Sequence, residues 1–129
     1  MINSTSFDYI NLLTKAADAS WKRESVISNN IANVDTPGYK RKDLDFESVL
    51  TEEIGRCKHR SLDSKVSELD MSKLNPTVYT DSSTYAYRMD GNNVDIDTEN
   101  VELASEQIKY EGLTSSINSQ FERMKSVIS

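Results

Sequence analysis

Cysteine and histidine occur once each in 129 residues, and each shortage closes a class of function. Cys57 alone cannot form a disulfide within the chain, and Cys57 with His59 falls short of the ligand set of a structural zinc site. The Cys57-Lys58-His59 spacing puts thiol and imidazole on one side of an extended segment. No orienting acid or shaped pocket accompanies them, so both read as loop residues rather than a catalytic pair. Gly-rich phosphate loops, nucleophile elbows and His-based metal motifs are missing. No apolar run approaches the roughly 20 residues of a bilayer span. The stretch from Met1 to Leu13 has neither the basic start nor the unbroken apolar core of a cleaved leader. The expectation is a protein without catalytic residues, cofactor, metal, small-molecule substrate or membrane span.

Positive charge is also short. Fifteen basic residues face 21 acidic ones, a net charge of −6, and the pI is near 4.8. That balance argues against nucleic acid and anionic lipid as partners. The one compact basic cluster, Lys40-Arg41-Lys42, is followed by Asp43 and Asp45 and reads as a solvated loop that neutralises itself. Apolar residues make up 36% and the mean hydropathy is −0.60, so a compact monomer would have a thin core. Association with other chains would relieve that shortage.

What the chain does contain is two long helical patterns separated by a marked stop. From near Ser6, where Thr5-Ser6-Phe7-Asp8 reads as a capping box, Ile10, Leu13, Ala17, Ser20, Glu24, Ile27, Ile31 and Val34 recur at alternating three- and four-residue steps. Ser20 and Glu24 interrupt the apolar seam. Tyr9, Leu12, Ala16, Trp21 and Val26 add apolar area on neighbouring faces, which predicts contacts to more than one helix. The helix is expected to end near Asn33, after about 28 residues or roughly 42 Å.

The stop runs through Asn29, Asn30, Ala32, Asn33, Asp35, Thr36, Pro37, Gly38 and Tyr39. Asparagines compete with the backbone for hydrogen bonds. Pro37 presets φ and Gly38 accepts positive φ, the requirements of a type II turn. Beyond it, Leu44, Phe46, Val49, Leu50 and Ile54 predict a few helical turns behind an Asp43 or Asp45 cap, folding back on the first helix. Residues 55–83 read as a flexible connector with at most a marginal helix. Alternation around Asp90-Gly91 supports a small hairpin over 84–96. The run Asp90 to Asp97 has a calcium-loop look but lacks the ligand and glycine positions, and is assigned to turn and cap chemistry.

A second long helix is predicted from Asp97, with Ile96 and Val101 as a hydrophobic staple. Val101, Ala104, Ile108, Leu113, Ile117, Phe121, Met124 and Ile128 carry its apolar spacing. Gly112, unfavourable inside a helix, marks either a close approach or local flexibility. The fold class is therefore mainly α. Terminal helices 1–34 and 97–129 pair as an antiparallel, coiled-coil-like hairpin forming one discontinuous core. The turn and short helix at 35–54, the connector and the hairpin form a polar, partly extended middle. These apolar positions of both helices are the expected helix-packing and subunit-interface residues, because a two-helix hairpin leaves further apolar faces for neighbours. The hairpin pattern alone also fits a helical adaptor or secretion chaperone acting as a soluble dimer.

The segment Ser28-Asn29-Asn30-Ile31-Ala32-Asn33-Val34-Asp35-Thr36-Pro37-Gly38-Tyr39-Lys40 closely resembles the signature of bacterial flagellar rod and hook proteins. Arg41 to Phe46, Asp90 to Asp97 and the terminal helix extend the likeness toward the proximal-rod members, and the short middle leaves no room for the extra β-rich domain of longer ones. The resemblance implies a non-enzymatic structural subunit of the basal-body rod, which transmits torque and encloses the export channel. It further implies export to the cell envelope without a cleaved signal. Implied partners are copies of itself, other rod proteins and the membrane-embedded base and export apparatus. Asn29 to Tyr39 would set the direction of the chain as it leaves the helical core.

Overall fold

The structure, a computed structural model, describes residues 4–57, 61–81 and 89–128, with side chains from residue 7 onward. The elements are α1 (Ser4–Ala32), β1 (Lys42–Leu44), α2 (Glu47–Arg56), α3 (Leu62–Glu68), a 3-10 turn (Met71–Lys73), β2 (Val78–Thr80) and α4 (Ile96–Ile128). The capping box expected at the start of α1 involves side chains outside the described residues.

Two long helices dominate, as the spacing predicts. They pair antiparallel: Ser20 and Arg23 of α1 meet Glu106 of α4, while Asn30, further along α1, meets Glu99, earlier on α4. On α1 the seam buries Ile10, Ala17 and Ile27 and half-buries Leu13 and Ile31; Val34 is half-buried just past the helix end. Ser20 lies inside this seam, and its Oγ donates to the Glu106 carbonyl at 3.4 Å.

The phase of α4 differs from expectation in its first half. Glu99 and Glu106 are its buried positions, and Leu103, Tyr110, Leu113, Ile117, Gln120 and Met124 are half-buried in step with them. Val101 and Ile108 are 69% and 71% exposed, and Ala104 is exposed as well. At 100° per residue these three lie on the side of α4 opposite Glu106. They do not pack on α1, because glutamates matched to arginines occupy the inner stripe where an apolar pattern would be sought. Phe121 and Ile128 are likewise exposed, whereas Leu113, Ile117 and Met124 fall on the inner side.

The start of α4 is also displaced. Asp95 is the capping residue: its Oδ1 accepts from the Asp97 amide at 3.1 Å, and its Oδ2 from the Thr98 hydroxyl at 3.1 Å. Cap counting from Asp95 makes buried Val94, not Ile96, the residue that precedes the cap, and Ile96 and Val101 are both exposed, so the expected staple does not form.

A second face of α1 is covered by the chain's own middle. Leu12, Ala16 and Ala19 pack on Leu44, Phe46 and Leu74, with Val49, Leu50 and Met71 closing the cluster. The α2 segment folds back as expected, and the Ser48 amide donates to Asp45 Oδ1 at 3.0 Å. Within 55–83 the helix is firmer than composition suggests: Ser61 caps α3, and Val66, Leu69 and Leu74 are buried. Three well-spaced leucine and valine side chains are enough when α1 offers them a ready surface. The small sheet pairs β1 with β2 antiparallel, Lys42 opposite Thr80 and Leu44 opposite Val78. Most of the strand residues of the hairpin expected at 84–96 lie outside the described residues. From Met89 to Asp95 the described chain is a turn and an extended loop.

Candidate assembly corner

The corner is built from two asparagine-rich loops that lock into each other. After α1, the Tyr39 amide donates to the Thr36 carbonyl at 3.2 Å and Gly38 has φ +72°. This is the type II turn that Thr36-Pro37-Gly38-Tyr39 predicts. Asn33 steadies its entry: Nδ2 donates to the Asn29 carbonyl at 2.8 Å, and Oδ1 accepts from the Thr36 hydroxyl at 3.1 Å. Ala32, Asp35 and Pro37 stay on the surface.

The second loop enters beneath it. Asn92 is fully buried, and its Nδ2 faces the carbonyls of Asn33, Val34 and Thr36 at 3.0, 3.0 and 2.8 Å. Its Oδ1 accepts from the Val94 amide at 2.8 Å. One amide thus closes the carbonyl end of α1, where a helix leaves acceptors without partners. The Gly38 amide donates to the Asp90 carbonyl at 2.8 Å, Lys40 reaches the Gly91 carbonyl, and Gly91 takes φ +78°. Asn93 Oδ1 accepts from the Arg41 amide at 2.7 Å while its Nδ2 donates to the Asp81 carbonyl at 3.2 Å.

Asn30, also fully buried, ties the corner to both helices. Its Oδ1 accepts from the Lys42 amide at 2.9 Å and the Tyr39 hydroxyl at 3.2 Å. Its Nδ2 donates to the Lys42 carbonyl at 2.7 Å and to Glu99 Oε2 at 3.2 Å. With both groups of the amide used on both sides, neither aspartate nor alanine could replace it without leaving a buried partner unpaired.

Around this lies an ion-pair relay centred on Asp43. Arg23 contacts Asp43, Glu102 and Glu106 at 2.9, 2.9 and 2.7 Å. Arg41 contacts Asp43, Asp81 and Glu99 at 3.3, 3.1 and 2.5 Å. Burial pushes the Asp43 carboxyl up, but hydrogen bonds from Arg23 and the Leu44 amide, with the charges of both arginines, outweigh it and hold the group below the usual carboxylate range. The bonds to Asp43, Glu106 and Glu102 raise Arg23 further against the cost of its burial. The relay joins α1, β1, the end of β2 and α4. It also overturns the reading of Lys40 to Asp45 as solvated and self-neutralising: Arg41 and Asp43 face inward and pair with distant segments, while Lys40 and Lys42 remain exposed.

The sequence pattern reads Asp43 as a possible helix cap and Asn92 and Asn93 as part of a turn, and it does not assign Arg23, Glu99 or Glu106 to the interior. One trace of them existed. Leu12, Ala16, Ala19, Arg23 and Asn30 follow a single helical stripe, so the second apolar face of α1 ends in an arginine and an asparagine. Elsewhere, Cys57 Sγ donates to the carbonyls of Glu53 at 3.4 Å and Lys65 at 3.6 Å, a stitch between α2 and α3. His59 lies outside the described residues. Among the described residues no three His, Cys, Asp or Glu side chains are grouped to hold a metal, and no helix is long and apolar enough to cross a membrane.

The family model described as "Flagella basal body rod protein" matches residues 10–40, from the α1 seam through the turn. The flagellar basal body rod protein FlgB of Bacillus subtilis (strain 168) is 37% identical over 106 residues, 82% of this chain and 81% of its own length. FlgB of Proteus mirabilis (strain HI4320) is 35% identical over 115 residues, 83% of each chain. FlgB of Escherichia coli (strain K12) is 29% identical over 114 residues, again 83% of each. With relatives at 35 and 37% identity covering more than four fifths of both chains, the chain belongs to the family of flagellar basal body rod proteins, and within it to the FlgB group.

Proposed function

We propose that the chain is a structural subunit of the flagellar basal-body rod that works by assembly and not by catalysis. It joins copies of itself, other rod proteins and the membrane-embedded base, in a shaft that transmits torque around the export channel. On this reading it reaches the cell envelope through the flagellar export apparatus without a cleaved leader. The observation that carries the reading is the pairing of family membership with the exposed apolar stripe Val101, Ala104 and Ile108, which α1 leaves uncovered. Contacts between such a face and a different face of the next subunit build an open, continuing assembly, as a rod requires. Inner-seam positions, from Ile10, Leu13, Ala17, Ile27 and Ile31 to Leu113, Ile117 and Met124, hold the subunit together. Phe121 and Ile128, on the seam side of α4 but exposed, add further apolar surface for a neighbour. The corner from Asn29 to Tyr39 fixes the angle between the helical core and the middle segment. Imaging purified basal bodies carrying a labelled subunit tests this directly: label at the base of the rod is expected, and label confined to the cytoplasm refutes it.

A further inference from the structure

One half-buried carboxylate has no place in the corner or in the outer stripe. Glu24 lies in the α1–α4 seam, and its Oε1 is fully enclosed with no hydrogen-bond partner among the described residues. Arg23, the next residue, is held by Asp43, Glu102 and Glu106. Lys109 on α4 is drawn to Glu47 and approaches Glu106 at 3.8 Å. The groups whose charge bears on Glu24 from α4 are Glu106 and Glu111, both acidic. Tyr110 lies between those two carboxylates in sequence, and Asp43 on β1 is turned to Arg23 and Arg41. An enclosed carboxylate oxygen facing like charge is costly when ionised and inexpensive when protonated.

We propose that Glu24 is a proton-operated catch in the α1–α4 seam, closed when its carboxyl carries a proton and loosened when it is ionised. Protonated, the group carries no charge, and the repulsion from Glu106 and Glu111 disappears. Ionised, it adds a negative charge beside Glu106 with no donor for its enclosed oxygen. Desolvation first, then Glu106 and Glu111, raise the carboxyl above its ordinary value. The fold disfavours the ionised form, so helix pairing strengthens as pH falls through the raised midpoint and is weakest above it. The inference does not rest on the rod assignment; it concerns the two helices of one chain.

Two measurements on the full chain test it. Carbon-13 NMR titration of the Glu24 carboxyl is expected to give a midpoint clearly above about 4.3, the ordinary glutamate value. A midpoint at or below that value overturns the proposal. Glu24→Gln removes the charge at nearly constant shape. It is expected to raise the thermal midpoint of helix loss by about 3–5 °C at pH 7.5, with the gain shrinking as the pH is lowered through 5. A variant no more stable than the parent at pH 7.5, or one whose gain is the same at both pH values, also overturns it.

Discussion

The corner and the outer face of α4 invert the usual distribution of side chains. At the corner, Asn30, Asn92 and Glu99 are almost wholly enclosed and every polar group described above has a partner. Four turns of α4 or fewer away, Val101 and Ile108 stand in solvent. Polar inside and apolar outside is the reverse of what hydrophobic burial alone favours. The difference teaches that the two regions answer to different demands. Hydrogen bonds and ion pairs are directional, so a polar corner admits one geometry, whereas an apolar core of this size would tolerate several. Apolar surface is non-directional, and on the outer face of α4 this chain leaves it uncovered.

The largest effect is expected from breaking the corner at Glu99, whose side chain is 1% exposed. In Glu99→Ala, Arg41 and Asn30 each lose an acceptor in the interior. Removing one member of a buried pair costs about 3–5 kcal/mol, and the low end, about 3 kcal/mol, applies because Arg41 keeps Asp43 and Asp81. Urea unfolding followed by circular dichroism measures it. A loss below about 1 kcal/mol would mean that the corner is not what holds α4 to α1.

Next is Asn92→Ala, which strips one amide from three carbonyls and one amide oxygen from Val94. Leaving buried groups unpaired costs about 1–3 kcal/mol, and about 2 kcal/mol is expected here. Faster hydrogen exchange at the Gly38 and Val94 amides should accompany it. Unchanged exchange at both positions would show that the two loops hold together without Asn92.

These two residues also mark where sequence reasoning reached its limit. The helix pair, the type II turn and the fold-back of α2 were legible because each follows from local rules: helical spacing, a Pro-Gly pair, a capping aspartate. The corner's interior was not. Asn92 looks like any loop asparagine, and its role depends on carbonyls some 56 to 59 positions earlier in the chain. Glu99 and Glu106 look like solvated helix residues, and they are inside only because Arg41 and Arg23 arrive from elsewhere. Reading Val101, Ala104 and Ile108 as the inner stripe followed directly from assuming that apolar means inward. The hydrophobic rule located the helices and misplaced the first half of one seam.

A smaller cost is expected at the turn itself. Gly38 has φ +72°, and a Cβ built there meets nothing within 4 Å. The penalty of Gly38→Val is therefore dihedral and not steric crowding, about 1–2 kcal/mol, as for other side-chain-bearing residues in left-handed geometry. Helix content should be nearly unchanged while motility is lost, because the turn sets where the middle segment points. Normal motility in that strain would count against the corner as a determinant of assembly.

The smallest effect on stability, and the sharpest test of the contrast, belongs to Val101→Ser with Ile108→Ser. Both side chains stand in solvent on the face of α4 turned from α1, so the isolated chain should change by no more than about 0.5 kcal/mol. If that face exists for another subunit, the same substitutions remove apolar area from every such contact along a continuing assembly, and incorporation into basal bodies should fall sharply. The two readouts separate the regions. A variant in the corner's interior, at Glu99 or Asn92, loses folding and assembly together, while this one keeps the fold and loses the assembly. Should the double variant instead unfold, the outer stripe would belong to the chain's own core; should it fold and assemble normally, the apolar face would have no partner to find.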